Sequence, residues 1–403
     1  MSPSLALFIS IVIVLLLLRV KVHPGGAVFC GSLLLSLLAL PPAETPRLML
    51  RSAVDPQTLR LLAIVICALM MSRLMEKRGM LTRLANALEG IGPKLAIHVA
   101  PVAIGLMPLP GGAVVSAAAV KDLVRRLHLS PVQATFINFW FRHLCEFGTP
   151  VYPGVIMAGV ILSVPLSFML LHLAPMWVLM LLFGSIVSWR ILRHAPAPDG
   201  SSRGKEDIPR QLFRSAWPVM LVFALVIAGL DAAPAFFVTV LALVLQQRMP
   251  WPEVKDGLKY GFGPKIIFLL YAVMLFKNVV DTSGAANALF TDMQAAGLPH
   301  ALILIVLPML IGFSTGLSSA MVGISIPLLV PFLVSAGAVD GASLMLAYGA
   351  GGLGYMLSPL HLCLVLSAEY FEARLASVYR LLVPPSVAVL AALTVLFFLL
   401  GGA

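Results

Sequence analysis

Charge is the scarcest property of this chain. Only 11% of its 403 residues are Asp, Glu, Lys or Arg, against about a quarter in an ordinary soluble domain. Sixty per cent are hydrophobic and the mean hydropathy is +1.01. A soluble core of this length cannot hide so much apolar surface, so a bilayer must take it. Several motifs are also absent. There is no P-loop, no Gly-x-Ser-x-Gly and no His-Glu-x-x-His, so nothing supports ATP-driven work or a familiar hydrolase site, and no enzyme activity or cofactor is expected. The four cysteines (Cys30, Cys67, Cys145 and Cys363) have no metal-site spacing and lie in or beside apolar runs, where a cysteine packs as a small apolar residue. Met1 to Ala6 contains no basic side chain, whereas Arg19 and Lys21 follow the first apolar run. That order is the reverse of a secretory signal and predicts a first membrane helix with its N-terminus outside.

What is present is a succession of apolar runs. Spans are expected at 4–18, 25–40, 59–75, 131–148, 174–192, 214–230, 233–248, 265–280, 341–357 and 380–400. Their length suits helices rather than barrel strands, which would be about half as long and alternate in polarity. Residues 151–171 and 358–371 are read as continuing the spans before them, so each forms one broken crossing. The stretches 95–120 and 300–337 are apolar but interrupted. Residues 193–213, rich in Pro, Gly, Ser and charge, read as a solvated cytoplasmic linker between the halves 1–192 and 214–403. The net charge of +10 sits in short loops, so it is read as fixing topology rather than as binding nucleic acid. With the basic loops on the cytoplasmic side of an inner membrane, 95–120 must enter and leave from the cytoplasm and 300–337 from outside, both as re-entrant hairpins. Segments 76–92 and 282–298 are amphipathic and are expected to lie at the two interfaces.

The halves resemble each other. Ala100 to Leu106 aligns with Leu307 to Phe313 at an offset of 207 (308 − 101 at the prolines), and Thr149-Pro150 aligns with Ser358-Pro359 at 209 (359 − 150). Five crossings per half make the second copy inverted. Inverted repeats with broken helices in corresponding places mark many secondary transporters, and the breaks point to the substrate site. The expected fold is therefore an all-α polytopic membrane protein of two inverted repeats, each with a re-entrant hairpin and a broken helix.

Three regions carry candidate chemistry. The first hairpin tip, Met107 to Ala113 followed by Ser116, contains Pro110, Gly111 and Gly112, which interrupt the helix and free backbone groups; the helix that follows aims a partly positive N-terminus at the break. The second tip, Gly312 to Ala320, holds Ser314, Thr315, Ser318 and Ser319, too polar a set for lipid. The third region, Asn138 to Pro150, holds Asn138, Arg142, His143, Glu146 and Thr149. Arg142 and Glu146 are four apart on one helix and can pair, while His143 projects elsewhere. Arg142 suits a substrate carboxylate, and Glu146, His143 or His361 a coupling proton. Ser358-Pro359 is expected to free carbonyls able to bind a cation such as Na⁺. For each region the alternative is a structural kink, small-residue packing or an Arg–Glu brace.

The strings LPGGAVVSA (109–117), FRHLCEFGTPVYPGV (141–155) and GYMLSPLHLCLVLS (354–367) resemble an uncharacterised prokaryotic membrane family, known as a domain of unknown function. That family is grouped with the ion transporter superfamily of gluconate permeases, anaerobic dicarboxylate carriers, citrate carriers and the large membrane subunit of TRAP transporters. The resemblance implies an elevator carrier, often a homodimer, whose paired hairpins cradle an organic anion. It implies that Pro110, Gly111, Gly112 and Ser116 form the first tip and Ser314 to Ser319 the second. The Ser-Asn-Thr tip signature of the sodium-coupled dicarboxylate carriers is absent. The expected function is secondary transport of a small organic anion, a carboxylate or sugar acid, with H⁺ or Na⁺. The alternatives are a membrane subunit that needs a soluble binding protein, a cation or proton exchanger, and an intramembrane enzyme.

Overall fold

Proline sets where many of these helices begin. Pro3, Pro24, Pro56, Pro93, Pro131, Pro153 and Pro264 each occupy the first helical position, where the missing N–H costs nothing and the fixed φ is already helical. A computed structural model describes residues 1–80, 83, 92–106, 112–193, 195–196 and 208–402. In the first half the helices are α1 (Pro3–Arg19), α2 (Pro24–Ala39), α3 (Glu44–Val54), α4 (Pro56–Lys77), α5 (Pro93–Gly105), α6 (Gly112–Arg126), α7 (Pro131–His143), α8 (Cys145–Gly148), α9 (Pro153–Ile161) and α10 (Leu166–Leu192). The second half has α11 (Ile208–Ile227), α12 (Ala232–Gln246), α13 (Trp251–Gly261), α14 (Pro264–Ser283), α15 (Ala285–Ala295), α16 (His300–Thr315), α17 (Ser318–Leu333), α18 (Gly341–Met356), α19 (Leu362–Tyr370) and α20 (Leu375–Leu399). A two-residue antiparallel ribbon, β1 (Val334–Ser335) with β2 (Ala338–Val339), joins α17 to α18. Among the described residues, five stretches (56–77, 131–161, 166–192, 251–283 and 375–399) are long and apolar enough to cross a membrane.

Most expected spans coincide with helices, and the differences have local causes. Residues 166–171 do not continue the broken crossing; Pro165 caps a new helix, so α10 starts eight residues before the expected 174. Residues 208–213 of the presumed linker already belong to α11. The first interfacial arm lies largely outside the described residues; the second contains the helix α15. Two helices are additional. α3 and α13 are amphipathic, with Glu, Arg and Lys on one face, and a reading tuned to apolar runs passes over them.

The helices pair in matching ways in the two halves. α1 packs on α2, and α11 on α12; α2 packs on α14, and α12 on α4. Each amphipathic helix lies against the opposite half: α3 on α14, where Tyr271 donates to the Met49 carbonyl and Asn278 to Ser52, and α13 on α4, where Asp256 receives both Arg73 and Lys77 at 3.0 Å. α5 packs on α6 and α7, and α16 on α17 and α18. Finally α6 reaches α19 of the other half, as α17 reaches α9.

Glycine makes the tightest of these approaches possible. A Cβ on Gly105 of α5 would stand 2.3 Å from the Arg142 carbonyl oxygen, and one on Gly312 of α16 would stand 2.4 Å from that of Gly351. No side chain fits there without moving a backbone. Gly105→Ala and Gly312→Ala are therefore each expected to cost about 1–3 kcal/mol, read as a lower Tm of the purified chain in detergent. An unchanged melt in either variant would mean that its helices are not in backbone contact.

Candidate functional site

The site is organised by a tightened turn in the middle of the broken crossing. At the junction of α7 and α8 the Leu144 N–H bonds the Phe141 carbonyl, and the Phe147 N–H the Leu144 carbonyl. Both are i to i−3 bonds. Three residues per turn brings i and i+3 onto one side and turns i+4 away. This corrects the expected Arg142–Glu146 pair: among the described residues no carboxylate lies within ion-pair distance of Arg142, and Glu146 instead stands 3.7 Å from Nε2 of His143. His143, expected on another face, is thus its neighbour.

Arg142 and Asn138 form a polar stripe, one helical turn apart on the face of α7 that meets α6 and α19. Arg142 is only 2% exposed. Its Nη1 donates to Cys363 Sγ at 3.4 Å, and its Nε has no partner among the described residues. Nη2 lies 2.7 Å from where a Cβ on Gly112 would be, so glycine at the start of α6 leaves room for the guanidinium. Asn138 Nδ2 donates to the Ala113 carbonyl at 3.2 Å and to Ser367 Oγ at 3.0 Å, while its Oδ1 has no donor among the described residues. Cys363 and Ser367 are themselves one turn apart on α19. The first turn of α6, one face of α7 and one face of α19 therefore enclose an orphan donor and an orphan acceptor, an arrangement suited to a small polar ligand, and to an anion at the guanidinium.

The second cluster adjoins the first through α8. Glu146, 8% exposed, accepts a hydrogen bond from Tyr355 Oη at 2.8 Å. Nε2 of His143 and Nε2 of His361 are 2.9 Å apart. The ring of Tyr355 stacks on that of His361, and Phe139 closes the other side. His143, His361 and Cys363 bring their ligand atoms within 4.8 Å of one another, a set that contains metal-ligating residue types beside a fixed arginine cation.

The remaining candidates are more dispersed. Pro110 and Gly111 lie outside the described residues. Ser116 Oγ donates to the Ala113 carbonyl and Thr149 Oγ1 to that of Cys145, while Ser358 Oγ accepts the Leu360 N–H; these hydroxyls satisfy nearby backbone at a helix start and at the two proline breaks. The second tip is shorter than expected, because α16 continues through Ser314 and Thr315 and α17 starts at Ser318, leaving only Gly316 and Leu317 between them. Gly316, at φ +64°, makes the reversal possible. Thr315 Oγ1 bonds the Gly312 carbonyl, and Ser314, Ser318 and Ser319 are half-buried. The two hairpin ends are held by equivalent groups: Tyr152 Oη donates to the Gly105 carbonyl and His361 Nδ1 to that of Gly316, the latter at 2.8 Å. Sequence reasoning missed Tyr152, Tyr355, Cys363 and Ser367. The 209-residue offset could have found two of them, since it carries Tyr152 onto His361 and Glu146 onto Tyr355 (361 − 152 and 355 − 146).

Broken helices around a cluster of buried polar groups, with several helices long and apolar enough to cross a membrane among the described residues, define a polytopic helical membrane protein. The crystal structure of the Alcanivorax borkumensis YdaH transporter matches over 89% of each chain with a TM-score of 0.62 at 16% identity, a likeness of fold. The chain belongs to the DUF401 family, described as "Protein of unknown function", whose model matches residues 1–400. No curated protein matches the sequence.

Removing the Tyr355 hydroxyl deprives a buried carboxylate of its donor. Tyr355→Phe is expected to destabilise the chain by about 1–3 kcal/mol, seen as a fall in Tm. The same Tm in both proteins would show that Glu146 is satisfied otherwise.

Proposed function

We propose that this chain is a secondary active transporter of a small organic anion, a carboxylate or sugar acid, coupled to H⁺ or Na⁺. It works in a prokaryotic cytoplasmic membrane with its N-terminus outside, and it catalyses no covalent chemistry. The observation that carries this reading is Arg142: a buried guanidinium with no carboxylate within ion-pair distance among the described residues and an Nε without a hydrogen-bond partner there. A buried charge without a partner costs several kcal/mol, and an arriving carboxylate would offset that cost through a charge-assisted hydrogen bond. The orphan Asn138 Oδ1 one turn away would accept from a hydroxyl of the same ligand. A fixed arginine repels cations, so an exchanger that binds only cations at this place is disfavoured.

The elevator architecture of two inverted repeats belongs to the same proposal. It is supported by contacts that recur at the sequence offset: Gly105 against Arg142 and Gly312 against Gly351 (312 − 105 = 207; 351 − 142 = 209). Glu146 and Tyr355, equivalent by that offset, touch each other, as positions near a two-fold axis do. In this reading α1–α4 with α11–α14 form the framework, and the hairpins with α7–α10 and α18–α20 form the moving part.

The test is thermal unfolding of the purified chain against carboxylates, sugar acids and inorganic anions, each with and without Na⁺ and at two pH values. One anion class is expected to raise the Tm of the native chain by mass action, by about 2.7 kcal/mol of stability at a hundredfold excess over Kd. Arg142→Lys should weaken the shift and Arg142→Gln abolish it. A shift that survives in Arg142→Gln removes the arginine from the site; no shift with any anion removes the anion carrier.

A further inference from the structure

The two histidines pose a problem of hydrogen bookkeeping. His143 Nδ1 lies 2.6 Å from the Phe139 carbonyl oxygen, and His361 Nδ1 lies 2.8 Å from that of Gly316. A carbonyl only accepts, so both rings must carry their proton on Nδ1. Two neutral rings of that tautomer would present two bare Nε2 lone pairs to each other, yet the nitrogens are 2.9 Å apart, an ordinary N–H···N distance. A single positive charge held between them satisfies all three contacts at once.

A metal ion and a proton are the two candidates, and distance separates them. Tetrahedral coordination with metal–nitrogen bonds of about 2.0–2.1 Å sets two imidazole nitrogens roughly 3.3 Å apart. The observed separation, 2.9 Å, is that of an N–H···N hydrogen bond. The neighbouring charges agree. Arg142 already places a fixed cation on Cys363, the third group a metal would take, and a divalent ion would add to it. A single proton is instead matched by one carboxylate, Glu146, 3.7 Å from His143 Nε2. The other groups facing the pair are the Arg142 cation, which opposes a second positive charge, the Cys363 thiol, the Tyr355 ring, whose hydroxyl is committed to Glu146, and the Phe139 ring.

We propose that His143 and His361 share one proton between their Nε2 atoms, that Glu146 is its counter-ion, and that this proton latches the tip of the second hairpin. His361 holds the Gly316 carbonyl only in the ring orientation that faces His143. Removing the proton leaves two opposed lone pairs, drives the rings apart and releases that carbonyl. Tyr152, which the offset places opposite His361, bonds the Gly105 carbonyl at the end of α5 with a phenol hydroxyl instead of an imidazole, so the latch belongs to the second hairpin. The proton enters as H⁺ and leaves as H⁺, with no bond made to carbon and no electron transferred. With it bound, Arg142, the histidine pair and Glu146 sum to one excess positive charge; without it they sum to zero. The latch rests on the carrier reading only for its use: anion and proton then favour each other, which makes H⁺ rather than Na⁺ the coupling ion.

The test uses the full chain labelled with ¹⁵N-histidine in lipid nanodiscs, free of Na⁺ and of any added anion. Nuclear magnetic resonance is expected to show two rings, each protonated at Nδ1, joined by a through-bond Nε2–Nε2 coupling. A bare Nδ1 on either ring, or stoichiometric metal in the purified protein whose chelation changes these signals, overturns the proposal. Titration between about pH 5 and 9 should release one proton fewer per chain from His361→Gln than from the native protein; equal release overturns it as well. Should that variant fold poorly, the coupling in the native chain still decides. Hydrogen exchange around Gly316, corrected for its intrinsic pH dependence, should rise in the native chain as the proton leaves, and a flat profile removes the latch. None of these readouts involves an anion, so their failure leaves the arginine site standing, and failure of the anion panel leaves the shared proton standing.

Discussion

A guanidinium shut away from water, with no carboxylate within ion-pair distance among the described residues, is the constraint around which the centre of this molecule is arranged. Arg142 is buried within the bundle, where unmatched charge is costly. Its surroundings follow from that. Gly112 is bare because a side chain would strike the guanidinium. Cys363 offers a polarisable sulfur rather than a formal charge. The tightened turn at Leu144 carries Glu146 away from the arginine and toward His143, so the charges of one helix serve two clusters instead of cancelling in one.

Neither cluster belongs to a single half of the chain. Asn138 meets Ser367, Arg142 meets Cys363, Glu146 meets Tyr355 and His143 meets His361. Every one of these contacts crosses more than two hundred residues of sequence. The short helices that follow the proline breaks make this possible. Thr149-Pro150 and Ser358-Pro359 end one helix and let the next set out in a new direction, with their hydroxyls satisfying carbonyls or N–H groups released nearby. Relative displacement of the halves would therefore change both clusters together.

Much of the fold was legible because membranes make long apolar runs and prolines unambiguous. The runs at 4–18, 25–40 and 265–280 fall within one to three residues of the helix ends, since prolines open all three helices, Arg19 ends the first and a left-handed Gly284 ends the third. Pattern failed where two cues conflicted: Leu166 to Leu173 is as apolar as the helix it opens, and nothing but Pro165 tells it from the preceding segment. α3 and α13 escaped notice because half of each faces polar surroundings. For the site, residue type pointed to Asn138, Arg142, His143 and Glu146 directly, because such side chains are rare in apolar surroundings. Cys363, Ser367 and Tyr355 are ordinary in a membrane helix and acquire meaning only from what faces them across the bundle. The i, i+4 rule misassigned the partner of Arg142 because it presumes an unbroken helix.

The exchange of amphipathic helices between the halves also bears on how the molecule is made. α3 leans on α14 and α13 leans on α4, so each half supplies a shelf that the other must cover. While the ribosome is still producing the second half, the first stands in the bilayer with its arginine helix facing no α19 and its α4 facing no α13. Closure has to wait for contacts about two hundred residues apart, which is slow by its topology. The nascent chain is at its most vulnerable, to a membrane protease or to a wrong neighbour, in the interval before α19 and α20 emerge.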